Sequence, residues 1–170
     1  MKFYTRTGDT GDSDLIGGIR AKKFDPRFDV LGGLDELNSF LGMLKCALKD
    51  KEEVEFVECL QREIITLSSH LASLGSGQET EKFAYKGGFT EKLEGRIDHL
   101  QSFLPKEFKF VLPGANEASA RADAARTVAR RAERSLALLA ADGYNVSPEA
   151  GKLVNRLSDY LYALGRVLEL

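Results

Sequence analysis

The chain has 170 residues, a length that suits one domain able to bury roughly 70% of its unfolded surface. With 43% apolar and 29% charged residues its composition is that of ordinary soluble protein, and a formal net charge of −2 argues against a general nucleic-acid binder, which carries a large positive excess. The opening Met1-Lys2-Phe3-Tyr4-Thr5-Arg6 holds no signal-peptide core and no later run approaches a membrane span, so a cytoplasmic protein without a membrane partner is expected. Cys46 and Cys59 lie in separate helical segments without metal spacing and are expected to be reduced thiols that help fill a core.

The first element is a polar loop, Tyr4-Thr5-Arg6-Thr7-Gly8-Asp9-Thr10-Gly11-Asp12-Ser13-Asp14, followed by Gly17-Gly18-Ile19-Arg20 and Lys22-Lys23. Its glycines permit positive φ angles that turn successive N–H groups into one concavity, and its hydroxyls add donors around it. Arg6, Arg20 and Lys23 would supply counter-charge for a phosphate held there. No Gly-Lys-Ser/Thr closes a Walker A motif, the dinucleotide fingerprint is missing, and an EF-hand counted from Asp12 would need Glu where Lys23 stands. Taken alone, the segment also fits a disordered polar terminus.

Helical spacing begins near Leu34 and runs to about Lys49 on Leu37, Leu41, Leu44 and Leu48. A second helix follows from about Glu52 to Leu74, stopped by Gly75. Gly75 to Gly88 reads as a long loop, after which Thr90 caps a shorter helix that ends at Pro105. Phe108 to Gly114 is an extended linker. Glu117 to about Ala141 is the fourth helix, with Gly143 beyond its end. Ser147-Pro148-Glu149 opens the fifth, whose stripe is Leu153, Leu157, Tyr160, Leu161, Leu164 and Leu168, with Asn155, Asp159 and Tyr162 opposite. Five helices with mostly short connections and no convincing sheet predict an all-α, up-down five-helix bundle of ferritin-like packing.

The fourth helix carries the strongest chemical signal. Arg126, Arg130 and Arg134 fall within an 80° arc at 100° per residue, with Arg131 close by, while Ala125, Val128, Ala132, Leu136 and Leu139 fall opposite. Guanidinium groups make paired N–H bonds to phosphate and keep their charge at any relevant pH. The plainer alternative is a solvated face on which Glu133 neutralises its neighbours.

In order along the chain, Tyr4-Thr5-Arg6-Thr7-Gly8-Asp9, Gly32-Gly33-Leu34-Asp35-Glu36-Leu37-Asn38-Ser39, Phe110-Val111-Leu112-Pro113-Gly114, Arg126 through Arg134, and Asn155-Arg156-Leu157-Ser158-Asp159 resemble the PduO-type ATP:cob(I)alamin adenosyltransferases. The likeness runs from Phe3 almost to the C-terminus and implies a single domain, with residues 1–28 as the nucleotide-binding loop and 29–170 as the bundle. It also implies a homotrimer with active sites between subunits, the substrates ATP and cobalamin, Mg²⁺, and as partners a reductase and an adenosylcobalamin-dependent enzyme. In such a reaction the cobalt of cob(I)alamin attacks the 5′ carbon of ATP and expels triphosphate, so the protein supplies positioning and charge stabilisation rather than a nucleophile. The resemblance places Thr5, Arg6, Thr7, Gly8, Ser13, Lys23, Arg130, Arg131, Glu133, Arg134 and Asn155 around the nucleotide, with no metal ligand from the protein. Asp35 and Arg126 match a pair that joins neighbouring subunits, and Phe110 matches an aromatic residue pressed on the lower corrinoid face; with Arg130 these form the expected catalytic set.

The chain departs from the family pattern in three places. Asp12-Ser13-Asp14 places negative charge beside a triphosphate, where it would either coordinate Mg²⁺ or weaken ATP binding. Thr10 replaces a common Lys, and Asp123 replaces a common His one turn before Arg126, where an i,i+3 pair would draw that arginine from Asp35. The rival readings are an ATP- or corrinoid-binding protein of the same fold with weak or no transferase activity, and a purely structural bundle that would need neither loop nor ridge.

Overall fold

In the computed structural model, which describes Tyr4 and residues 6–78, 82–107 and 110–170, five helices carry nearly all of the regular structure. They are α1 (Pro26–Lys45), α2 (Lys51–Ser73), α3 (Phe89–Gln101), α4 (Glu117–Ala141) and α5 (Pro148–Val167). Ahead of them stands a two-stranded antiparallel ribbon, β1 (Asp12–Asp14) against β2 (Arg20–Lys22), in the register Asp12↔Lys22, Ser13↔Ala21, Asp14↔Arg20. The expectation of no sheet is corrected to this extent: three-residue strands are too short to show a period of two, and cross-strand charge pairing supports them instead.

The helix starts follow local chemistry. Asp25 caps α1 by accepting from the Arg27 N–H, with Pro26 at the first helical position, so α1 begins about two turns before the expected Leu34. It also ends at Lys45 rather than Lys49. Asp50 caps α2 in the same way, and Asn116 and Ser119 form a reciprocal capping box at α4. α3 starts after Gly88 at φ 97° with no side-chain cap, so Thr90 is not its cap but a buried residue of its first turn, and the helix ends at Gln101, short of Pro105. Ser147 stands at the head of α5, but its hydroxyl bonds the Tyr85 carbonyl at 3.3 Å instead of capping.

The helices alternate in direction. Gln61 reaches the Asn38 carbonyl and Lys45 meets Glu58, setting α2 antiparallel to α1. Arg121 reaches the Met43 carbonyl while Gly33 lies on Ala132, which sets α4 antiparallel to α1. Arg166 on Asp123 and Asn155 on Glu133 do the same for α4 and α5. Leucines at helical spacing, among them Leu34, Leu37, Leu41, Leu60, Leu67, Leu93 and Leu139, are wholly buried between these elements. The ring of Tyr160 on α5 meets Phe56 on α2 at 5.3 Å and closes the bundle. Both cysteines are exposed, contrary to the core-filling expectation: Cys46 caps α1 and Cys59 lies on the outer face of α2. No described helix is long and apolar enough to cross a membrane.

Candidate functional site

The N-terminal loop is built onto one end of the bundle. Ile16 N–H bonds the Ala72 carbonyl at 3.1 Å, and a β carbon at Gly17 would strike the Ser76 β carbon at 2.4 Å, so the ribbon turn lies hard against the C-terminus of α2. Beneath it, Arg27 is 7% exposed and forks onto Asp25 at 2.9 and 2.7 Å. Its Nη1 holds the Leu74 carbonyl at 2.7 Å, and the guanidinium lies over the Tyr144 ring at 5.2 Å. The Arg27 side-chain bond holds the Asp25 carboxyl below the usual carboxylate range, and Asp25 in turn raises Arg27. This anchor joins α1, α2 and the turn after α4. The Asp25-Pro26 step was its only sequence signal.

Within the loop, the predicted residues gather closely. Arg6 takes φ 64° and lies over the Tyr4 ring at 5.4 Å, while the Thr7 carbonyl accepts from Arg20. Gly8 lies beside Lys23: a β carbon there would sit 3.6 Å from Lys23 Nζ. Lys23 N–H bonds the Gly11 carbonyl at 2.9 Å, and Ser13 occupies the middle of β1 opposite Ala21. Thr5 lies outside the described residues. The two loop carboxylates are already matched. Asp12 pairs with Lys22 at 2.8 Å and Asp14 with Arg20 at 2.9 Å, and the Lys22 bond holds Asp12 below the ordinary carboxylate range. Within this chain Arg20 is thus engaged with Asp14 and the Thr7 carbonyl, and Lys22 with Asp12. Among the described residues no group of three or more His, Cys, Asp or Glu side chains could hold a metal ion.

The arginine ridge stands exposed along α4. Arg131 pairs with Glu36 of α1, and among the described residues Arg134 reaches only the Arg130 carbonyl, at 3.1 Å. The Arg130 guanidinium meets no carboxylate of the described chain. Among the described residues Glu133 forms no ion pair with its neighbouring arginines: its Oε1 accepts from Asn155 Nδ2 at 2.6 Å, and Asn155 Oδ1 accepts from Arg156 at 2.6 Å. Arg126 turns to Asp123 at 3.4 Å, the i,i+3 pair expected from the sequence. Asp35 is exposed and makes no ion pair within the described chain; it lines a cleft of about 340 Å³ between α1 and α2 with Ile16, Asn38, Ile65, Ser69 and Ala72. Phe110 is 97% exposed, so it is no core anchor of this chain. Neither hydrogen bond nor ion pair joins the described loop to Arg126, Arg130, Arg131 or Arg134.

Residues 3–168 match the family model for cobalamin adenosyltransferases. The chain is 41% identical over 167 residues to the corrinoid adenosyltransferase PduO of Salmonella typhimurium, covering 98% of this chain and 49% of that protein. It thus spans about half the length of the PduO relatives of Salmonella typhimurium and Citrobacter freundii. A shorter Citrobacter freundii corrinoid adenosyltransferase is 35% identical over 168 residues, 99% of this chain and 95% of that one. Among solved structures, a PduO-type ATP:corrinoid adenosyltransferase from Lactobacillus reuteri, in a phenylalanine-to-alanine variant complexed with cobalamin and ATP, superposes with a TM-score of 0.90. It has 32% identity over 99% of this chain and 93% of that one. An arginine-to-lysine variant from the same source, complexed with ATP, gives a TM-score of 0.88 at 30% identity over 98% of this chain and 94% of that one. With a fold, a family model and relatives that agree along nearly its whole length, the chain belongs to the cobalamin adenosyltransferase family.

Proposed function

We propose that this protein transfers the 5′-deoxyadenosyl group of ATP to the cobalt of reduced cobalamin, giving adenosylcobalamin and triphosphate. The observation that carries the reading is the pair of ridge guanidiniums left without an acid: neither Arg130 nor Arg134 has a carboxylate partner among the described residues, and Glu133 is bonded to Asn155. A multiply charged leaving group is the ligand such a surface favours. The reduced cobalt is the nucleophile, its electron pair forms the bond to the 5′ carbon, and the C–O bond electrons leave with the triphosphate. Arg130 and Arg134 would stabilise the charge gathering on that leaving group, while the loop of Arg6, Thr7 and Gly8, with Lys23, would hold the phosphates.

The site is completed between copies of the chain. Loop and ridge share no direct bond within one described chain, and Asp35 presents an unpaired carboxylate beside the loop. We therefore assign Asp35 of one copy to Arg126 of another, in a homotrimer, and Phe110 to the lower face of the corrinoid. The reaction takes place in the cytoplasm, fed by a reductase and drained by an adenosylcobalamin-dependent enzyme. The test is incubation with Mg-ATP and chemically reduced cobalamin, followed by the spectrum of the light-sensitive cobalt–carbon product and an assay of triphosphate. Binding of both substrates without either product would make this a carrier protein. A stable monomer in sedimentation at micromolar concentration would remove the shared site.

A further inference from the structure

A buried carboxylate of α4 stands next to the ridge without belonging to it. Asp123 is 5% exposed, and its Oδ2 accepts a 2.7 Å bond from Nη2 of Arg166 on α5, itself 8% exposed. The same nitrogen lies 3.1 Å from Glu169 Oε1, and the Arg166 guanidinium lies over the Tyr162 ring at 5.4 Å. Asp123 therefore cannot swing: one oxygen is clamped by a second helix. Its other oxygen, Oδ1, faces Nε of Arg126 at 3.4 Å. A contact through Nε restrains the side chain near its base and leaves the two terminal nitrogens to make a paired bond elsewhere.

We propose that Asp123 and Arg166 are positioning residues for adenosyl transfer, a clamped carboxylate that fixes the reach of Arg126. The inference rests on the reading that Arg126 belongs to the adenosyl-transfer site. A buried ion pair is weak support for stability in itself, because desolvation offsets the attraction. This one does something a hydrophobic pair would not, since it leaves an oriented acceptor beside the arginine. An arginine otherwise free on a helix surface samples many rotamers, and each site then holds the productive one only part of the time.

The test is a double-mutant cycle on kcat/KM for cob(I)alamin, using Asp123→Asn and Arg126→Lys, because lysine keeps the charge but has no Nε–H at that position. Asp123→Asn alone is expected to lower kcat/KM about tenfold or more, the loss of one hydrogen bond between charged groups. In the Arg126→Lys background it should lower it less than twofold. Equal losses in both backgrounds would overturn the proposal and leave Asp123 a packing residue. If Asp123→Asn alone fails to fold, Asp123→Asn with Arg166→Gln removes both buried charges and enters the cycle in its place. Wild-type turnover is the separate control: its absence defeats the proposed reaction, whereas normal wild-type turnover with additive losses defeats only the positioning role.

Discussion

Glu133 on α4 accepts a 2.6 Å hydrogen bond from Asn155 on α5, and so the one acid within the arginine run is turned toward the neighbouring helix. Released, that carboxylate lies three residues from Arg130, a spacing at which side chains meet on a helix. Asn155→Ala is therefore expected to raise the KM for ATP about two- to tenfold, the worth of one hydrogen bond, with little change in the far-ultraviolet spectrum. Steady-state kinetics at varied ATP checks it. An unchanged KM would mean that the bond only joins two helices.

Arg130 is the most direct test of the ridge, because it has no in-chain acid among the described residues whose loss would confuse the result. Removing a charge-assisted contact to triphosphate costs about 1.5–3 kcal/mol, so Arg130→Ala should reduce kcat/KM for ATP by about ten- to a hundredfold. Thermal unfolding should stay near wild type, since the side chain is exposed. Near-normal turnover in the folded variant would take Arg130 out of the nucleotide site.

Acid should loosen the anchor beneath the loop. The Asp25 carboxyl is lowered in the folded state by Arg27, so its stabilisation is complete above its unfolded pKa of about 3.9 and is lost as pH falls through the lower folded value. Asp25→Asn keeps a capping oxygen but not the charge. The variant should be less stable than wild type in urea at pH 7, and the gap between the two should narrow steadily as pH falls below about 3.9. A gap that does not narrow in acid would locate the effect elsewhere.

The five helices could be read from the sequence because apolar spacing at three and four residues repeats over each of them, carried by leucines in most and by alanines along most of α4, and the core follows that stripe. The start of α1 was harder. Pro26, Val30 and Gly33 hold it in place through the Asp25 cap and close approach to Ala132, yet no dense leucine stripe marks that turn. The ribbon left no periodic trace, and the pairing of Asp12 with Lys22 and of Asp14 with Arg20 depends on a register that only folding sets. Of the site, the ridge residues were legible one by one because a single helix arranges them. Arg166 was not, since its partner Asp123 lies 43 residues away on another helix.

Phe110 separates a packing role from a chemical one. Its ring is 97% exposed in the chain, so Phe110→Ala should change stability by no more than about 0.5 kcal/mol, as for other exposed positions. If the ring covers the lower corrinoid face, the same change opens a gap that water or the axial base can fill. Cobalt then stays five-coordinate and hard to reduce. Activity should fall far more when the reaction starts from cob(II)alamin with a mild reductant than when cob(I)alamin is supplied preformed, because only the first route passes through that reduction. The two rates are read beside the spectrum of bound cob(II)alamin, which should lose its four-coordinate signature in the variant. Equal losses by both routes with an unchanged spectrum would take Phe110 away from the corrinoid face.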